Sequence, residues 1–178
     1  NNATMLSVTW SGTQFFAAGA DGECATSPDG ITWTYQPDFT SAMTFGGYSA
    51  ASSYSVVWTG SQFLAVGLRG ACATSPDGVT WTFQSSLNSA VGFAGDMHSV
   101  AWSGTQFVAV GWDRRDGYPD GKCATSPDGV TWTEQTPPEG SSMINSVVWD
   151  GSQFCFVGSG GDCATSPDGV TWTNQPQF

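Results

Sequence analysis

The chain reads as an all-β protein built from four copies of one four-stranded antiparallel unit, and three observations predict this. The stretch Cys-Ala-Thr-Ser-Pro-Asp-Gly-Val/Ile-Thr-Trp-Thr occurs four times, at 24–34, 72–82, 123–133 and 163–173, and only Ile31 departs from Val79, Val130 and Val170. Such repetition marks one supersecondary unit that cannot bury its apolar face alone and stacks on its neighbours. Second, x-Gly and Pro-Asp-Gly reversals separate short runs rich in Val, Phe, Trp and Thr, which is the punctuation of hairpins; no helix is expected anywhere. Third, one run in each unit is apolar at consecutive positions, so both of its faces are buried.

Taken in order, each unit opens with a short apolar strand at 7–10, 55–58, 99–102 or 146–149. A turn follows at Ser11-Gly12, Thr59-Gly60, Ser103-Gly104 or Asp150-Gly151, with glycine supplying the positive φ that a tight hairpin needs. The doubly buried second strand occupies 14–19, 62–67, 106–111 or 153–158. The third strand is Cys-Ala-Thr-Ser. Pro-Asp-Gly then reverses the chain into an outer, half-exposed fourth strand around Thr-Trp-Thr. A small sheet apolar on both sides of its middle strand is a blade, and the fold expected is a small β-propeller of four four-stranded antiparallel blades. It forms a single domain over 1–178, with blades near 5–37, 54–85, 98–136 and 145–176. Blade four is expected to meet blade one directly, closing a monomeric ring.

Charge and composition limit the partners. There are 15 acidic residues against Arg69, Arg114, Arg115 and Lys122, a net charge of -11. A general attraction to nucleic acid or anionic lipid is therefore disfavoured. No apolar run approaches the roughly 18 residues of a membrane span, so no membrane insertion is expected, and no charged-then-apolar leader precedes the first repeat. Abundant Gly, Ser, Thr and Trp with almost no Lys suggests an extracellular or cell- or virion-surface protein. Asn2-Ala3-Thr4 matches a glycosylation sequon, a short pattern that carries little weight. Cys24, Cys72, Cys123 and Cys163 hold one position in four repeats, which keeps them in separate units as small buried hydrophobes. Cys155 sits in a strand hairpinned to that of Cys163, where a bridge is geometrically open.

The Ser-Pro-Asp-Gly-Val-Thr-Trp reversal resembles the Asp box of BNR-type β-propellers, a group that includes sialidases, other glycan-active proteins and non-enzymatic binding proteins. The resemblance covers essentially the whole chain. The usual box carries one more residue between Asp and Gly, whereas Asp29-Gly30, Asp77-Gly78, Asp128-Gly129 and Asp168-Gly169 are adjacent. The resemblance implies a structural turn, in which the four Asp carboxylates accept hydrogen bonds from turn amides while Trp33, Trp81, Trp132 and Trp172 pack between sheets. Fourfold identity agrees, because a catalytic site needs a few different groups in one place.

Up-and-down strands put the x-Gly and Pro-Asp-Gly turns on one face, uniform in all units. Every length variation falls on the other. The connections between blades there carry Tyr48 and His98, and the turn between second and third strands is enlarged only in unit three, from Trp112 to Lys122. All four basic residues share this face. The candidate ligand-binding residues are accordingly Arg69, Trp112, Arg114, Arg115, Tyr118, His98 and Tyr48, on loops carried by a rigid scaffold. The plainer alternative is that Arg114 and Arg115 only neutralise Asp113, Asp116 and Asp120.

Enzymatic chemistry is not expected. The resemblance brings sialidases to mind, but two of the three Arg are adjacent, Glu is scarce and four blades are fewer than those enzymes use. No Gly-x-Ser-x-Gly elbow occurs, one histidine leaves little for general-base work, and the Asp spacing in the insertion fits no calcium loop. No cofactor or metal is anticipated. Two readings stand: a non-enzymatic binding module of lectin or adhesin type, for a carbohydrate or protein ligand, and a self-assembling structural subunit of a filament, virion or surface layer.

Overall fold

The computed structural model describes residues 4–44, 51–92, 94–113 and 119–176. Four four-stranded antiparallel sheets follow one another, each with its strands in chain order. Blade one comprises β1 (Met5–Trp10), β2 (Phe15–Gly19), β3 (Cys24–Ser27) and β4 (Thr34–Tyr35), and blade two β5 (Ser53–Trp58), β6 (Phe63–Gly67), β7 (Cys72–Ser75) and β8 (Thr82–Phe83). Blade three contains β9 (Gly95–Trp102), β10 (Phe107–Asp113), β11 (Asp120–Ser126) and β12 (Thr133–Gln135), and blade four β13 (Ile144–Trp149), β14 (Phe154–Gly158), β15 (Cys163–Ser166) and β16 (Thr173–Asn174). These are the propeller blades expected. The hairpin turns lie one residue later than the sequence suggested: Ser11 N–H donates to Gln14 C=O, so Gly12 and Thr13 are the central pair. Gly12 takes φ 98° at the first central position, where only glycine is unstrained.

The first strand of each blade packs beside the next blade's first strand. Ser7 Oγ accepts the N–H of Val56 at 3.1 Å, Ser55 Oγ that of Val100 at 3.2 Å, and Ser99 Oγ that of Val147 at 3.1 Å. Between sheets lie three apolar cores, one per neighbouring pair of blades. In the first, Phe16 meets Phe39, Phe63 and Trp81 at ring separations of 5.5, 5.5 and 4.8 Å.

Two expectations are corrected. The connections after blades one and two contain short helices, α1 (Pro37–Ala42) and α2 (Ser85–Val91). Pro37 suits a first helical turn, and Phe39, Ala42 and Met43, or Leu87 and Val91, recur at helical spacing and are buried. Helices this short are held by packing and not by propensity. Each braces the following blade: Asp38 Oδ2 accepts Trp81 N–H at 2.7 Å and Ser86 Oγ accepts Trp132 N–H at 2.9 Å.

The ring does not close on itself. Val8 is 60% exposed, whereas its equivalents Val56, Val100 and Val147 are 7%, 6% and 4% exposed, and Trp33 is 41% exposed against 6% for Trp81. The step between sheets is set by the large side chains wedged between them. Three such steps leave the first and last faces uncovered, and blade one presents an open apolar recess of about 510 Å³ lined by residues including Val8, Ala17, Ala25 and Trp33.

Candidate functional site

The four Pro-Asp-Gly turns are built alike. Oδ1 of Asp29, Asp77, Asp128 and Asp168 accepts the backbone N–H groups two and three residues on, at 2.8 or 2.9 Å. A Ser hydroxyl two residues back also donates to each, at 3.0 or 3.1 Å. The amides of Thr32 and Ile31 hold Asp29 below the usual carboxylate range, and those of Thr131 and Thr171 lead the same downward shift in Asp128 and Asp168. At Asp77, partial burial acts upwards and is outweighed by the amides of Thr80 and Val79. The indole N–H of Trp33, Trp132 and Trp172 donates to the turn glycine's carbonyl at 3.1 or 3.2 Å, while the buried Trp81 indole nitrogen has no acceptor among the described residues. Carboxylates occupied in this way tie the turn together. Asp77→Ala or Asp128→Ala is expected to cost about 1–2 kcal/mol of stability, the scale of a lost cap or buried hydrogen bond, with ligand binding unaltered. Chemical denaturation and a binding isotherm on each variant check this.

The other face carries the differences. In blades one, two and four the second strand ends in a single tight turn, and in blade two that turn, 68–70, holds Arg69 in the left-handed region at φ 59°. Its backbone is clasped from both sides: Arg69 N–H donates to Asp96 Oδ1 at 2.9 Å, and Asn88 Nδ2 donates to its carbonyl at 2.6 Å. In blade three the pairing of the second and third strands runs further. There β10 and β11 continue as a longer hairpin in which Trp112 pairs with Gly121 and Asp113 with Asp120.

Among the described residues, Trp112 belongs to a stack with two other rings. Tyr54 on β5 lies parallel to His98 on β9, centroids 4.7 Å apart at 4°, and His98 lies parallel to Trp112 on β10, 5.4 Å apart at 10°. All three are half-buried. The stack crosses from blade two to blade three, and its members are fixed by strands on both sides, so the rings have little conformational entropy left to lose. Sequence reasoning singled out His98 and Trp112 but not Tyr54. The signal was present: Tyr54 and His98 occupy the position before Ser55 and Ser99, where units one and four have Leu6 and Asn145.

Arg114, Arg115, Tyr118 and Tyr48 lie outside the described residues. Lys122 is on β11 with Nζ 2.9 Å from Glu134 Oε1 and 3.9 Å from an Asp120 oxygen, so its charge is matched locally. Asp113, expected in an exposed insertion, is buried within β10. A polar recess of about 550 Å³ runs between the long hairpin and the 136–141 connection, lined in part by Lys122, Glu134 and Glu139. Among the described residues no group of three or more His, Cys, Asp or Glu is placed to hold a metal ion, and no helix is long and apolar enough to cross a membrane. Cys155 and Cys163 are free thiols with Sγ atoms 3.9 Å apart. Burial pushes the Cys24 and Cys123 thiols up to about 12 and Cys72 upwards too, which leaves them inert.

No protein-family model matches the chain, and no curated protein matches it in sequence. Solved structures do match in fold. A chain described as YCF48 bound to D1 peptide is similar at TM-score 0.62 and 15% identity, over 96% of this chain and 52% of that one. A chain from a crystal structure of a nidogen/laminin complex is similar at TM-score 0.67 and 11% identity, over 97% of this chain and 64% of that one. The chain thus spans between half and two thirds of the length of these neighbours. At such identities the likeness shows the fold, that of a β-propeller repeat protein.

Proposed function

We propose that the chain is a non-enzymatic binding module that docks a peptide or protein segment on its variable face, at the Tyr54–His98–Trp112 stack beside the long hairpin of blade three. The observation that carries this is the stack itself, with ring planes within 10° of parallel on strands of two different blades. Aromatic rings held rigid on a scaffold are what interface hot spots are made from. The two fold neighbours, one described as bound to a peptide and the other taken from a protein complex, lend the reading support. The Asp-box kinship and an extracellular or surface setting belong to the same proposal, resting on the turn geometry and the composition. Activity as a hydrolase is not part of it, because the repeated carboxylates are engaged by their own turns.

The test is to pan the immobilised chain against a random peptide library, with a glycan array run in parallel. Selected peptides should lose about 30-fold or more in affinity to Trp112→Ala, the scale of a hot-spot residue, and be indifferent to Thr13→Ala on the opposite face. Peptides whose binding survives Trp112→Ala and Tyr54→Ala would overturn the placement. Specific glycan binding without peptide binding would overturn the ligand class.

A further inference from the structure

The uncovered faces of blades one and four are the two halves of a joint that the chain makes three times internally. In each internal joint the second strand of one blade presents a side chain, Phe16, Leu64 or Val108, to the turn glycine of the next. A Cβ placed on Gly129 would lie 2.5 Å from Leu64 Cδ1, and one on Gly169 would lie 2.3 Å from Val108 Cγ2. A polar clasp accompanies the fit. Gln14, Gln62 and Gln106 each donate from Nε2 to the carbonyl of Asp77, Asp128 or Asp168 in the next blade, at 2.6, 3.1 and 2.6 Å.

Blade four ends with the same presenting set: Gln153, then Cys155 at the Phe16 position and Val157, which is 39% exposed where Val66 and Val110 are fully buried. Blade one begins with the same receiving set: Val8, Trp33 and the Asp29-Gly30 turn, where the three atoms nearest a Cβ built on Gly30 all belong to Phe15 of the same blade. Here the receiving side carries the additional exposed apolar groups Met5, Leu6 and Ile31, and the presenting side the smaller Cys155.

We propose that two copies of this chain stack head to tail, blade four of each on blade one of the other, as an eight-bladed ring. The occupant is a second copy because both halves of the joint are on one chain, and a heterologous joint between copies makes a ring where its rotation closes and a filament where it does not. Two identical joints satisfy all four open faces. Each joint places Cys155 over Gly30 of the other copy and brings Gln153 to the carbonyl of Asp29.

Sedimentation velocity and native mass measurement across a dilution series test the pairing. The chain should run at twice its mass, and Val8→Asp and Cys155→Arg should each run as monomers with unchanged far-ultraviolet spectra, since Val8 and Cys155 are not enclosed within the single chain. Mixing the two variants should restore a one-to-one complex, because the intact blade-four face of one meets the intact blade-one face of the other. Cys155 and Cys163 should react with a thiol reagent at least tenfold faster in Val8→Asp than in the parent chain. A monomer at about 100 µM, masses running beyond two copies, or a dimer that survives either substitution would overturn the closed pair. So would a dimer lost in Val8→Asp alone, which would mean that blade-one faces pair with each other.

Discussion

Phe16→Ala is expected to lower the unfolding free energy by about 3–5 kcal/mol, while Cys155→Ala, at the equivalent position of blade four, lowers it by less than about 1 kcal/mol in the separated chain. Phe16 is fully buried and packs edge-on or tilted against three aromatic rings from the neighbouring blade and from α1. Removing it leaves a cavity that rigid sheets cannot collapse to fill. Cys155 has no blade on its outer side and is only half-buried. Leu64 and Val108 are also fully buried, and Leu64→Ala should cost about 2–5 kcal/mol. Urea denaturation at low protein concentration, followed by Trp fluorescence, gives the series. Equal losses at all four positions would contradict a structure in which the blade order decides what each repeat buries.

Acid should unfold the protein through its repeated turns. The folded-state pKa values of Asp29, Asp77, Asp128 and Asp168 are depressed, so the folded chain binds protons less readily than the unfolded chain, whose Asp groups titrate near about 3.9. Stability with this origin is fully present above that value and is lost as pH falls through the folded pKa. Asp150, whose Oδ1 accepts the amide of Gln153 at 2.9 Å and both the amide and the hydroxyl of Ser152, is shifted downwards too. Melting temperature should be flat from pH 7 down to about 5 and fall increasingly steeply below about 4. The loss should be shallower in Asp77→Asn and shallower again in Asp77→Asn combined with Asp128→Asn. A melting temperature that rises on acidification, or an unchanged slope in the double variant, would show that these carboxylates carry no folding linkage.

Much of the blade was legible in the chain because its determinants are local. The Ser and Asp of each reversal bond to amides within three residues, Gly30 and its equivalents accept positive φ, and apolar residues at consecutive positions imply a strand covered on both sides. Helices α1 and α2 were not legible, because six or seven residues have too little intrinsic preference and become helical only when Phe39 or Leu87 has a blade to pack against. Tyr54 was overlooked for a related reason. Its neighbour in the stack is 44 positions away in the chain, and nothing short of the joint between blades brings the rings together.

By itself, then, the amino-acid order determined the four-blade count, the strand order within each blade, the turn that joins third to fourth strand, and which face of the array is uniform and which is variable. Each follows from interactions that close over a few residues or from the fourfold repetition of one stretch. Only the tertiary structure decided which copies of an identical stretch are buried, that the ring stays open between Val8 and Val157, and that Tyr54, His98 and Trp112 form one surface. Those outcomes depend on the step between sheets, which is set by how large side chains from different repeats fill a shared space. That quantity belongs to pairs of blades, and no single repeat carries it.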